Sequence, residues 1–73
     1  MSWEVKTYKV LYNGEVILEK EEPLTAADVK SAAVQAGIRG KFDVFSAEDG
    51  QELLPSDFPV EHDVIIKPRF TAA

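Results

Sequence analysis

The chain has no cysteine, one histidine, one tryptophan and one methionine in 73 residues. The missing cysteine excludes a disulfide staple, Cys-ligated zinc and Cys-ligated iron–sulfur clusters. Basic residues are also scarce, with 8 against 13 acidic ones and a net charge of -5. That balance repels a phosphate backbone, so nucleic acid and anionic membranes are not expected partners. Another protein with a basic or mixed surface is the expected partner. Long apolar runs are lacking too. Val16-Ile17-Leu18 and Val64-Ile65-Ile66 are three residues each, whereas a membrane helix needs roughly 20. The first residues lack the basic-then-apolar layout of a signal peptide, so a cytoplasmic protein is expected. The length allows one compact domain, 1–73, that rests on regular packing alone. A monomer is expected, and no cofactor.

Catalytic constellations are equally sparse. His62 lies between Glu61 and Asp63 in an expected turn and reads as an exposed loop residue. No Ser–His pair is supported by spacing, and there is no Cys nucleophile. Glu48-Asp49 with Glu52 forms a carboxylate group, yet a domain of this size offers little room for a sugar cleft. The same segment lacks the ligand spacing of a calcium loop. The four glycines are scattered, so there is no phosphate-binding loop. No enzyme and no metal site are expected.

What is present is a clear order of elements. Asn13-Gly14 between two apolar runs predicts a β-hairpin over residues 7–19. Two registers compete. A two-residue loop pairs Val10 with Ile17 and leaves Leu11 and Val16 on the opposite face. A three-residue loop with Gly14 in a bulge pairs Val10 with Val16 and Tyr8 with Leu18. The second gives the cleaner apolar face and is preferred; it puts Lys9, Leu11, Ile17 and Glu19 outside. Residues 25–36 read as a helix capped by Thr25, with Asp28 as its capping-box partner. Ala26, Val29, Ala33 and Ala36 form its buried stripe, Val34 lies off it, and Gly37-Ile38 closes it in a Schellman turn.

Residues 41–46 alternate as a strand, with Phe42 and Val44 on one face and Phe45 on the other. Ala47-Glu48-Asp49-Gly50 is a turn. Residues 51–54 suit a short strand that Pro55 halts, and residues 56–60 form an anchored loop or helical turn. Residues 63–67 are the last strand, with Val64 and Ile66 on one face and Ile65 on the other. Residues 69–73 read as a mobile tail. Together these predict an α+β domain with a mixed sheet of four or five strands packed on one helix.

That order, and several short motifs, resemble ubiquitin-like proteins of the β-grasp fold. Val16-Ile17-Leu18-Glu19 followed by Glu22-Pro23-Leu24-Thr25-Ala26-Ala27-Asp28-Val29-Lys30 resembles a second strand, an acidic-proline bend and a capped helix. Gly37-Ile38 resembles the close of that helix and Asp43-Val44-Phe45 the third strand. Asp63-Val64-Ile65-Ile66-Lys67-Pro68-Arg69 resembles the last strand and the start of the tail. The pattern is also similar to prokaryotic multi-ubiquitin-type domains and to the ubiquitin-fold modifier, in which a Pro-Arg pair also follows the last strand.

The resemblance implies a non-catalytic protein-interaction module. It also brings two alternatives: a protein modifier or sulfur carrier activated at its C-terminus, and a small accessory subunit of a larger enzyme or secretion complex. Two features depart from the family. Ala72-Ala73 stands where modifiers and sulfur carriers have Gly-Gly, and alanine methyls resist close backbone approach, so activation through that end is not expected. The linker between the third and last strands is shorter than ubiquitin's. The ubiquitin recognition patch is not carried over either: its sites fall near Leu11 or Tyr12, near Ala47, and on Lys67. In its place Leu11, Ile17, Phe45 and Ile65 are the expected partner-binding residues, on the open side of the sheet. Arg69, Phe70, Thr71, Ala72 and Ala73 form the tail that a modifier would use.

Overall fold

A computed structural model of the chain describes residues 5–69. The expected α+β class is what it shows. Five strands form one mixed sheet and a single α-helix packs against it. In chain order these are β1 (Tyr8–Tyr12), β2 (Glu15–Lys20), α1 (Ala26–Gln35), β3 (Phe42–Ser46), β4 (Glu52–Leu53) and β5 (Val64–Pro68). A single 3-10 turn, Pro55–Asp57, follows β4. Across the sheet the order is β2-β1-β5-β3-β4. The two central strands, β1 and β5, run parallel, and every other pair is antiparallel.

The period-two pattern decides which side chains meet the helix. Tyr8 and Val10 of β1, Val44 of β3, and Val64 and Ile66 of β5 are buried on one face. Val29, Ala32 and Ala33 of α1 close over them, joined by Leu24 and Val60. Small helix residues let the helix backbone lie close to the sheet. The buried stripe differs from the expected one, because Ala26 is exposed and Ala32 takes its place in the core. Leu24 and Val60 exchange both backbone hydrogen bonds at 2.9 Å, which pins the approach to the helix onto the loop before β5.

Both helix ends form as their residues dictate. Thr25 Oγ1 accepts from Asp28 N–H at 3.1 Å, and Asp28 Oδ2 accepts from Thr25 N–H at 3.0 Å. Lys20 of β2 donates to the same carboxylate at 2.7 Å, so the capping box also ties the helix to the sheet. The Lys20 ammonium, followed by the Thr25 N–H, holds the Asp28 carboxyl below the usual carboxylate range. At the other end Gly37 adopts φ +85°, a left-handed conformation that costs glycine nothing. Gly37 N–H then donates to Val34 O and Ile38 N–H to Ala33 O, both at 3.0 Å, which is the Schellman pattern.

The hairpin register corrects the expectation. Asn13 and Gly14 have φ of 54° and 81°, as a two-residue type I′ loop requires. Tyr12 pairs with Glu15 and Leu11 with Val16. Beyond them the register shifts, so Val10 faces Leu18 and Tyr8 faces Lys20. Neither register considered from sequence has that pairing. A bulge at Ile17 absorbs the difference, because one extra residue lets β2 put both Ile17 and Leu18 against the core.

The two isoleucines of β5 therefore have opposite environments. The same change should separate them: Ile66→Thr should cost about 2 kcal/mol or more. Ile65→Thr should cost less than about 1 kcal/mol. Urea unfolding followed by circular dichroism reads both midpoints, and equal losses would show that the two side chains share one environment.

Candidate functional site: the open sheet face and its far edge

The face away from the helix carries a continuous apolar row. Val16 pairs with Leu11, Leu11 with Ile65, and Ile65 with Phe45. The row thus crosses β2, β1, β5 and β3 at one level, and Glu52 of β4 ends it. Leu11, Ile65 and Phe45 are half-buried by their neighbours, while Val16 is 51% exposed. Three of the four residues expected from the sequence are thereby brought together. Ile17 is not among them: the bulge turns it against the core. Val16 fills the place instead, and only the turn length of the hairpin, not its apolar pattern, could have signalled that.

Charged pairs bracket the row at both ends of the strands. On one side Lys9 lies 3.8 Å from Glu19, which also accepts from the Thr7 hydroxyl at 3.2 Å. Asp63 sits beside them, its carboxylate accepting from Lys9 N–H at 3.0 Å. On the other side Lys67 Nζ stands 5.0 Å from the Phe45 ring centroid, a cation–π distance. Arg69 grips Asp43 there: its Nε lies 3.0 and 2.8 Å from the two carboxylate oxygens, and a terminal nitrogen lies 2.6 Å from Oδ1. Arg69 N–H also donates to Lys41 O at 2.9 Å. Arg69, the first residue of the expected tail, makes a fork-like ion pair with Asp43 and a ladder hydrogen bond to Lys41. Phe70, Thr71, Ala72 and Ala73 lie outside the described residues, as does Trp3.

His62 is half-buried rather than exposed, with Nδ1 3.0 Å from Asp63 O. Among the described residues no three His, Asp or Glu side chains are placed to hold a metal ion. No helix among them is long and apolar enough to cross a membrane.

A second feature escaped the sequence reading. A cleft of about 400 Å³ opens at the sheet edge between the start of α1, β3 and β4. Val29, Phe42, Leu53 and Phe58 form its apolar floor, and Lys30 and Leu54 stand at its lining. Leu54 is 56% exposed, a large apolar side chain in solvent at the cleft. Periodicity places each of these residues correctly but cannot show that β4 stops after two residues and leaves a gap.

The Arg69 guanidinium holds the Asp43 carboxyl below the usual carboxylate range, and Asp43 in turn raises Arg69. A carboxylate lowered on folding stabilises the fold above its unfolded value, and that contribution is lost as pH falls through the folded value. Arg69→Gln should therefore move the Asp43 titration upward toward an ordinary aspartate. Carbon-detected NMR titration of the carboxyl reads this, and an unchanged midpoint would show that the pair does not persist in solution. No protein-family model matches the chain, and neither a curated protein nor a solved structure shows significant similarity to it.

Proposed function

We propose that this chain is a ubiquitin-like β-grasp domain acting as a non-catalytic protein-interaction module, and that it binds a partner protein through the open face of its sheet. The observation that carries this reading is the row Val16, Leu11, Ile65 and Phe45, four apolar side chains level with one another on the side away from the helix. Contiguous apolar surface of this kind favours a partner, whereas single exposed apolar residues need no explanation. The strand order β2-β1-β5-β3-β4, with a parallel central pair, supports the β-grasp assignment.

The bracketing charges describe the partner. Aromatic and aliphatic groups at the centre with ionic groups at the rim is the usual layout of a protein interface. The net charge of -5 favours a basic or mixed surface on the other side and disfavours nucleic acid and anionic membranes. The chain is read as a cytoplasmic monomer that meets its partner without a cofactor.

Ile65→Asp and Leu11→Asp put a carboxylate in the middle of the row. Each should leave the circular dichroism spectrum of the folded domain in place and weaken binding to a partner purified from the native host by more than about tenfold, about 1.4 kcal/mol. Calorimetry with that purified partner reads the loss. Undiminished affinity would overturn the proposed face, and unfolding of both variants would show that the row belongs to the core.

A further inference from the structure

The cleft beside β3 contains an unfinished hydrogen-bond ladder. Along an antiparallel strand, backbone groups face its two neighbours alternately. Ala47 N–H donates to Asp63 O at 3.0 Å, and Lys41 O accepts from Arg69 N–H at 2.9 Å. The odd-numbered residues of β3 thus face β5. Ser46 N–H donates to Gln51 O at 2.8 Å, so the even-numbered ones face β4. Phe42 is even-numbered, and its N–H and C=O are directed toward the β4 side.

Among the described residues no strand residue meets them there. β4 pairs only Val44 with Leu53 and Phe45 with Glu52. The same register would next bring Pro55 opposite Phe42, and proline has no N–H. Pro55 begins the 3-10 turn, and that turn is closed on itself. Leu54 N–H donates to Asp57 Oδ2 at 2.7 Å, Asp57 N–H to Leu54 O at 2.8 Å, and Phe58 N–H to Pro55 O at 3.4 Å. A donor and an acceptor of β3 therefore face the apolar cleft of about 400 Å³, a volume within the range of ligand sites.

We propose that this edge takes one short extended segment of a partner protein, which completes the ladder at Phe42 and seats an apolar side chain in the cleft. An extended backbone offers a donor and an acceptor at one residue, which is what Phe42 lacks. The floor of Val29, Phe42, Leu53 and Phe58 accepts the side chain. Charge selects what flanks it. Arg69 is occupied by Asp43, whereas Lys30 on the helix side and Glu52 on the β4 side have no ion-pair partner among the described residues. The segment accordingly carries an acidic residue on the Lys30 side of its apolar anchor. This site lies at the sheet edge, apart from the row on the open face, so either can fail without the other.

Two measurements test it. Amide hydrogen exchange in the free protein should show Phe42 exchanging far faster than Val44, whose amide β4 covers. A protected Phe42 amide would remove the premise. The probe peptide acetyl-Gly-Ile-Leu-Val-Asp-amide, titrated into nitrogen-15-labelled protein, should shift the amides of Lys30, Phe42 and Leu53 saturably. N-methylation of its leucine and valine nitrogens should weaken binding by about tenfold. Lys30→Glu should weaken the acidic peptide and favour its analogue with lysine in place of aspartate. No saturable shift at Phe42, indifference to N-methylation, or shifts at Leu11 and Ile65 instead would each overturn the proposal; the last would place binding on the open face.

Discussion

The position of β5 is the constraint on which the rest of the structure depends. It lies in the middle of the sheet, parallel to β1 and antiparallel to β3, and both neighbours pair with it. A central strand has no free edge, so only its two faces remain to be assigned. Val64 and Ile66 take the helix face and are fully buried, while Ile65 takes the other. One three-residue apolar segment thus contributes to both the core and the candidate interface. Because strand side chains alternate, moving β5 by one residue would expose two of its apolar side chains and bury one. The pairing with both neighbours is therefore fixed by burial and not by backbone hydrogen bonds alone.

Both edges of the sheet follow from what surrounds that centre. β2 is the outer strand on one side, and its bulge at Ile17 lets two consecutive apolar residues reach the core. Bulges twist an edge strand and blunt its tendency to pair with other chains. The opposite edge is shortened instead. β4 has two residues, and Pro55 with the 3-10 turn carries the chain away from β3. The helix is held by caps at both ends and by Lys20, whose pairing with Asp28 joins a cap to β2. At 27% and 28% side-chain exposure that pair is partly shielded from solvent, so it is screened somewhat less than the Lys9–Glu19 pair at 41% and 49%.

Most of the architecture was legible in short local signals. Thr25 with Asp28 and Gly37-Ile38 each specify a backbone geometry over a few residues, and each formed as read; Asn13-Gly14 placed the hairpin, but in a two-residue loop and not the preferred three-residue one. The alternation of Val64-Ile65-Ile66 and Phe42-Asp43-Val44-Phe45 assigned the faces of β5 and β3. What escaped were features set by partners distant in sequence. The bulge at Ile17 depends on how β2 meets the core, and Val16, Ile17 and Leu18 are equally apolar. Ala26 and Ala32 exchanged roles because alanine carries little apolar area and so little information about which face is buried. Arg69 and Asp43 lie 26 residues apart, and nothing local announces their pairing. The open edge at Phe42 is visible only once the end of β4 is known.

The central claim is that alternation along β5 puts Ile65 on an open face and Val64 and Ile66 beneath the helix. Methyl relaxation in the presence of a soluble, uncharged gadolinium chelate tests it directly, since the effect falls steeply with distance from solvent. The account predicts strong enhancement at the methyls of Ile65, Leu11 and Val16, with little at those of Val64, Ile66 and Val10. Equal protection of Ile65 and Ile66 would contradict it, because the face assigned as open would then be covered.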